Sequence, residues 1–194
     1  MNNSELYEKY KDKNHRAIDG DFVSACQLGF LDKAKYLLHS QDLPINANIN
    51  VHNGMAFQYA CYYCQLEVVK YLLTAPELNG AVNIRSYKKP FELIEQFIIS
   101  GNIDAVNFLM SSDKDIFKLS KVAEFAIKNF NKDNLELTQY LIFDLNIKKS
   151  KPIDRILSEF PNSKVEKMFE LREINHGLNK ELISTEEKNK KFKI

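Results

Sequence analysis

Apolar residues in this chain come in short bursts at helical spacing, separated by polar stretches rich in Asn and Pro. The clearest burst is MAFQYACYYCQLEVVKYLL, residues 55–73. Phe57, Ala60 and Cys61 recur at i, i+3 and i+4, so they share one face of a first helix. Leu66, Val69, Leu72 and Leu73 share one face of a second helix, and the residues between the two faces read as a turn. Helices of about eight to ten residues do not persist alone in water, so each pair must bury its stripes against a neighbour.

The same grammar recurs along the chain. DFVSACQLGFLDKAKYLL (21–38) aligns with that burst at an offset of 35 residues, placing Ala25 on Ala60, Cys26 on Cys61 and Gly29 on Cys64. Lys35-Tyr36-Leu37-Leu38 then falls on Lys70-Tyr71-Leu72-Leu73. A third copy is IEQFIISGNIDAVNFLM (94–110), with Gly101 in the turn, and a fourth is AEFAIKNFNKDNLELTQYLI (123–142). An aromatic marker recurs at Tyr36, Tyr71, Phe108 and Tyr140, with spacings of 35, 37 and 32. Units that stack their apolar faces into one continuous core form a solenoid. The expectation is an all-α solenoid of about four to five divergent helix–turn–helix repeats.

The linkers 39–54 and 74–90 each place a Pro shortly after a second helix, where it stops helical propagation. Their short extended phrases, NANINVHNG and AVNIRSYKK, read as hairpin-like loops between pairs. The whole chain, 1–194, reads as a single repeat domain. Residues 1–20 supply an N-terminal cap, a polar helix over 4–18 anchored by Leu6, Tyr7 and Tyr10. Residues 21–150 carry the repeats and 151–183 supply C-terminal capping helices with a polar outer face. The charged segment 184–194 reads as a flexible tail.

The period, the helix–turn–helix pair and the loops resemble the ankyrin-repeat family over about residues 20–145. In the second copy, Gly54 followed by MAFQYACYYCQLEVVKYLL follows the family's G-x-TPLHxAAxxGHLEVVxxLL, with Leu66-Glu67-Val68-Val69 reproducing its phrase. The TPLH tetrapeptide is absent from every copy, and in the third and fourth the segment before the turn is longer, so the repeats are divergent. The resemblance implies non-enzymatic binding of a protein partner on the concave helix face and the adjoining loops. On that face it places Gln27 and Leu28, Tyr62 and Tyr63, and Ile99 and Ser100 in successive copies. On the loops it places Asn50, His52 and Asn53, then Arg85, Tyr87, Lys88 and Lys89. Tyr62 and Tyr63 stand out, because Tyr offers large contact area and a hydrogen bond at low entropic cost.

Composition adds a few exclusions. A formal net charge of +1 gives no global drive toward nucleic acid or anionic membranes, and no apolar run approaches a bilayer span. The charged N-terminus MNNSELYEKYKDKNHR has no apolar core and does not read as a secretory signal. Three cysteines are too few for a disulfide scaffold, which points to a reducing, cytoplasmic setting. Lys outnumbers Arg 23 to 4, and Asn, Lys and Ile supply 59 residues, usage expected of an AT-rich genome such as a phage, large virus or low-GC bacterium. A compact array from such a source fits a viral, phage or pathogen factor that inhibits a host defence protein.

Two other chemistries were weighed. Cys61-Tyr62-Tyr63-Cys64 has C-x-x-C spacing, the basis for an alternative thiol- or metal-dependent activity. A zinc site needs four ligands, and none of His15, His39, His52 and His176 lies within a few residues of the pair. Cys61 instead fills the small-residue column and Cys64 the turn-glycine position. Phosphate-loop, dinucleotide, HExxH and GxSxG motifs are absent from the sequence, so no catalytic, metal or cofactor residue is assigned. Lys148-Lys149-Ser150-Lys151 and Lys188–Lys193 carry the second alternative, a nucleic-acid-associated protein. With four arginines the basic segments lack the Arg-rich, aromatic-interleaved stripe of specific readers. Self-association into a homo-oligomer is left open.

Overall fold

The same left-handed turn closes three helix pairs. A helix that ends in a left-handed residue at C′ can satisfy two orphan carbonyls at once, in the Schellman arrangement. In the first copy the C′ residue is Gly29 (φ 76°): its N–H donates to Cys26 O at 3.4 Å, and the Phe30 N–H donates to Ala25 O at 2.9 Å. In the second copy Cys64 (φ 56°) donates to Cys61 O and Gln65 to Ala60 O, at 3.1 and 2.8 Å. In the third, Gly101 (φ 69°) donates to Ile98 O and Asn102 to Phe97 O, at 3.1 and 2.9 Å. The 35-residue offset read from the sequence is therefore an offset between equivalent backbone geometries. Cys64 holds that geometry with a side chain, where two other copies have glycine.

The computed structural model describes residues 3–78 and 82–191, with side chains as far as residue 181. Among the described residues there are eleven α-helices and no strand. They are α1 (Asn3–Tyr10), α2 (His15–Gln27), α3 (Leu31–His39), α4 (Val51–Tyr62), α5 (Leu66–Thr74) and α6 (Glu92–Ile99). There follow α7 (Ile103–Ser112), α8 (Leu119–Lys128), α9 (Leu135–Gln139), α10 (Lys151–Glu159) and α11 (Ser163–Lys191). No described helix is long and apolar enough to cross a membrane.

The chain divides into two compact units, Met1–Phe97 with Asn102–Lys118, and Ile98–Gly101 with Leu119–Ile194. In the first unit α2 packs on α3 and on α4, and α4 packs on α5. Equivalent columns are buried alike: Ala25 and Ala60, Cys26 and Cys61, Leu37 and Leu72 are each no more than 1% exposed. Phe22 and Phe57 fill the space between the pairs and are fully buried. The Gln65 side chain lies over Gly29, its Nε2 donating to Gln27 O at 3.1 Å, so a Cβ at residue 29 would collide with the amide.

The second unit has a core of its own, which is why it separates. Ile127, Ile142, Ile153, Leu157, Val165, Met168 and Phe169 cluster there. Its α8–α9 connection is built differently from the three turns above. The buried Asn134 donates through Nδ2 to Ala126 O and Asn129 O, while its Oδ1 accepts from the Asn131 N–H at 2.9 Å. A five-residue π turn, Tyr140–Asp144, then extends α9.

Three further expectations change. The cap helix read over 4–18 breaks after Tyr10, because Asn14 Oδ1 accepts from the Ala17 N–H and starts α2 at His15. Among the described residues the linkers form no strand pairing: Asn48 Oδ1 accepts from Asn50 N–H and Asn83 Oδ1 from Arg85 N–H, at 2.9 and 3.0 Å. Such Asx turns offer the backbone a local partner in place of a strand ladder. Finally, α11 runs helically to Lys191, through most of the segment read as a flexible tail, and 192–194 lie outside the described residues.

A left-handed conformation costs a non-glycine residue roughly 1–2 kcal/mol. Cys64→Gly is therefore expected to stabilise the protein by about 1 kcal/mol, or about 2–4 °C in thermal midpoint. Gly29→Ala adds the same strain and displaces Gln65, and is expected to destabilise by about 1–2 kcal/mol. Thermal unfolding by circular dichroism checks both signs.

Candidate functional site

One face of α4 is left uncovered by the core. Phe57, Ala60 and Cys61 point into the core, which leaves Met55, Gln58, Tyr59 and Tyr62 at i, i+3, i+4 and i+7 on the outer side. Across from this row stand Asn83, Ser86, Tyr87, Lys88 and Lys89 of the next linker, with Glu92 and Leu93 of α6. Together they line an open groove of about 920 Å³.

The groove's end is shaped by an unusual start to α4. His52 (φ 49°), Asn53 (φ 58°) and Gly54 (φ 75°) are consecutive left-handed residues, so right-handed helix begins only after them. Such a run is strained for side-chain-bearing residues and persists only where its surroundings hold it. Two bonds do so. Gln58 Nε2 donates to Asn53 O at 3.2 Å, and the Tyr87 hydroxyl donates to Gly54 O at 3.3 Å. Tyr87 also packs its ring on Phe57, with centroids 5.9 Å apart. A Cβ on Gly54 would collide with the Tyr87 hydroxyl, so glycine leaves room for that hydroxyl and carries the left-handed φ without strain. Burial, with the Cys61 thiol nearby, pushes the Tyr87 hydroxyl well above the usual tyrosine range, keeping it a neutral donor.

Three tyrosines cluster at the C-terminal end of the same helix. Tyr59 and Tyr63 meet edge to face at 6.2 Å between centroids, and Tyr62 and Tyr63 at 5.2 Å. They are 36%, 61% and 47% exposed for Tyr59, Tyr62 and Tyr63, so aromatic surface is displayed rather than buried. Lys88 is exposed at the opposite wall, and Lys89 Nζ pairs with Glu92 Oε1 at 2.6 Å. The Glu92 carboxylate raises the Lys89 ammonium's pKa.

Of the residues singled out in the sequence, the groove gathers Asn50, His52, Asn53, Tyr62, Tyr87, Lys88 and Lys89. Tyr63 stands beside it through its contacts with Tyr59 and Tyr62. Arg85 is turned elsewhere: its Nε meets Asp113 Oδ2 at 2.7 Å and its Nη2 meets Asp115 Oδ2 at 3.0 Å. Gln27 contributes its carbonyl to Gln65, and Leu28 is 58% exposed at the end of α2; neither lines the groove. Ile99 and Ser100 belong to the second compact unit, where Ile99 O accepts from Asn131 Nδ2. Met55, Gln58 and Tyr59 were missed, although stepping back from Tyr62 by helical intervals finds all three.

The two cysteines of the C-x-x-C pair differ in burial. Cys61 is 1% exposed and its thiol is pushed well up by burial; Cys26 is fully buried and pushed up to about 12. Only the thiolate is a nucleophile or metal ligand, so burial removes both from thiol chemistry near neutral pH. Cys64 is half-buried at its turn. Among the described residues no group of three His, Cys, Asp or Glu side chains converges on a metal-sized site. Of the basic segments, Lys149 pairs with Asp154 at 3.3 Å, and the side chains of Lys188–Lys193 lie outside the described residues. Comparison with protein-family models, with curated proteins and with solved structures finds no match for the chain.

Thiol titration of the native protein with a disulfide reagent is expected to modify Cys64 first. Cys26 and Cys61 are expected to react only after unfolding, giving three thiols in denaturant. Fast modification of Cys61 in the native state would contradict its burial.

Proposed function

We propose that this chain is a non-enzymatic protein-binding module of divergent ankyrin-type repeats, and that its partner docks in the α4 groove. The observation that carries the reading is the row of half-buried Met55 and exposed Gln58, Tyr59 and Tyr62 facing Tyr87 and Lys88 across a preformed groove. Interfaces draw most of their energy from a few aromatic anchors ringed by polar groups, which is the composition of this groove. The Gly54–Tyr87 bond and the Asx turns hold the walls before any partner arrives, so little ordering free energy is lost on binding. The shared turn at Gly29, Cys64 and Gly101, together with the phrase Leu66-Glu67-Val68-Val69, supports the family assignment. In this proposal Tyr62 and Tyr59 are the anchors, Tyr63 orients them, and Lys88 takes a carbonyl or carboxylate of the partner.

Residue usage typical of AT-rich genomes supports a narrower form of the proposal: a cytoplasmic viral, phage or pathogen factor that occupies a host protein. The test is affinity capture from candidate host lysates with wild type, Tyr62→Ala and Lys88→Glu. Wild type is expected to retain one partner in stoichiometric amount. Tyr62→Ala is expected to lose it by about 30-fold, the size of a hot spot near 2 kcal/mol. A partner retained equally by both variants would place binding outside the groove.

A further inference from the structure

The left-handed start of α4 contains an Asn–Gly pair, Asn53-Gly54. In such a pair the Gly nitrogen attacks the Asn side-chain Cγ, because glycine has no Cβ to obstruct the approach. The attack needs that nitrogen and the Asn Cβ on the same side of the Cα–C bond. Here Asn53 has ψ 41°, and with Cβ offset by about 120° from the backbone nitrogen, its Cβ stands nearly anti to the Gly54 nitrogen. Closing the ring therefore requires the Asn53–Gly54 peptide plane to turn over. Two hydrogen bonds hold that plane. Gln58 Nε2 donates to Asn53 O at 3.2 Å, and the Gly54 N–H donates to Asn50 O at 3.3 Å. The Tyr87 hydroxyl holds the next carbonyl, Gly54 O. Asn53 itself is exposed, so water, the second reactant, reaches it freely.

We propose that Asn53 is a conditional deamidation site, closed while Gln58 and Tyr87 hold the left-handed start of α4 and opened when they release it. In the open form the Gly54 nitrogen loses its proton and bonds to Asn53 Cγ, and the side-chain nitrogen leaves as ammonia. Water then opens the succinimide ring at either carbonyl. One product is aspartate; the other is isoaspartate, with the main chain rerouted through the former side chain. The net change is amide and water to carboxylate and ammonia, with no electron transferred. Either product puts a carboxylate where a neutral amide stood, in the groove that Lys88 also lines. Isoaspartate also lengthens the backbone by a methylene between His52 and Gly54, so the bonds from Gln58 and Tyr87 lose their register. The change is one-way and accumulates with each local opening. It depends on the backbone of α4 alone, whatever partner the groove takes.

Ageing the full chain in mildly alkaline buffer, followed by mass mapping of its tryptic peptides, tests the proposal. Cleavage after Lys35, Lys70 and Arg85 separates Asn53 from the other Asn–Gly pair, Asn79-Gly80. Folded wild type is expected to deamidate at Asn53 at least about tenfold more slowly than the same chain in denaturant. Gln58→Ala and Tyr87→Phe each remove one holding bond, and each is expected to speed the folded-state reaction about fivefold. Tyr87→Phe keeps the ring that packs on Phe57, so the core beneath is left intact. Gly29→Ala weakens the fold at another turn and is expected to leave the rate unchanged, which separates local opening from global unfolding. Asn53 deamidating as fast folded as unfolded, or at a rate that neither Gln58→Ala nor Tyr87→Phe moves, overturns the proposal. Equal acceleration by Gly29→Ala overturns the local lock.

Discussion

The helix pairs depend on one backbone constraint, the left-handed residue that closes a first helix and launches a second. Short helices cannot hold themselves, so the chain must reverse within a few residues and bring two apolar stripes together. Gly29, Cys64 and Gly101 do this with the same pair of hydrogen bonds. Once the reversal is set, Ala25 with Cys26 and Ala60 with Cys61 fall inward because larger side chains would hold the helices apart. The Cys64 thiol therefore sits where it does because of a turn, and Cys61 because of a packing column. The two cysteines are thus placed by different constraints.

The candidate site follows from the same arrangement. A helix that buries the face of Phe57, Ala60 and Cys61 has to display the opposite one, and in α4 that face holds Met55, Gln58, Tyr59 and Tyr62. What turns a displayed face into a groove is the following linker, pinned where Tyr87 reaches Gly54. The strain of His52 and Asn53 is held in place by that contact and by the Gln58 side chain. Burial that keeps the Tyr87 proton on its oxygen keeps the pin intact across the ordinary pH range.

Much of this was legible in the sequence, and the misses have physical causes. The offset of 35 between Gly29 and Cys64 was visible because turn and packing positions tolerate few residue types. The linkers were misread because extended phrases such as NANINVHNG look strand-like, while their Asn side chains bond locally and prevent a ladder. The break before α2 was signalled by Asn14, a favourable N-cap residue that the apolar spacing alone does not weigh. The second unit was hidden because its connection rests on Asn131 and Asn134, side-chain chemistry with no counterpart in the other copies. The pairing of Arg85 was not legible because Asp113 and Asp115, the carboxylates that meet it, lie far along the chain. Tyr59 lies three residues before Tyr62 on the same outward face, which runs the length of the helix, whereas the repeat pattern marks only its end.

Amide hydrogen exchange at Phe30, Gln65 and Asn102 tests the central claim most directly, since each donates the bond that closes its turn. The account predicts that all three exchange as slowly as the adjoining buried helices, with protection of roughly a thousandfold or more. Exchange near the free-peptide rate at these positions, in a chain whose helices are otherwise protected, would contradict it.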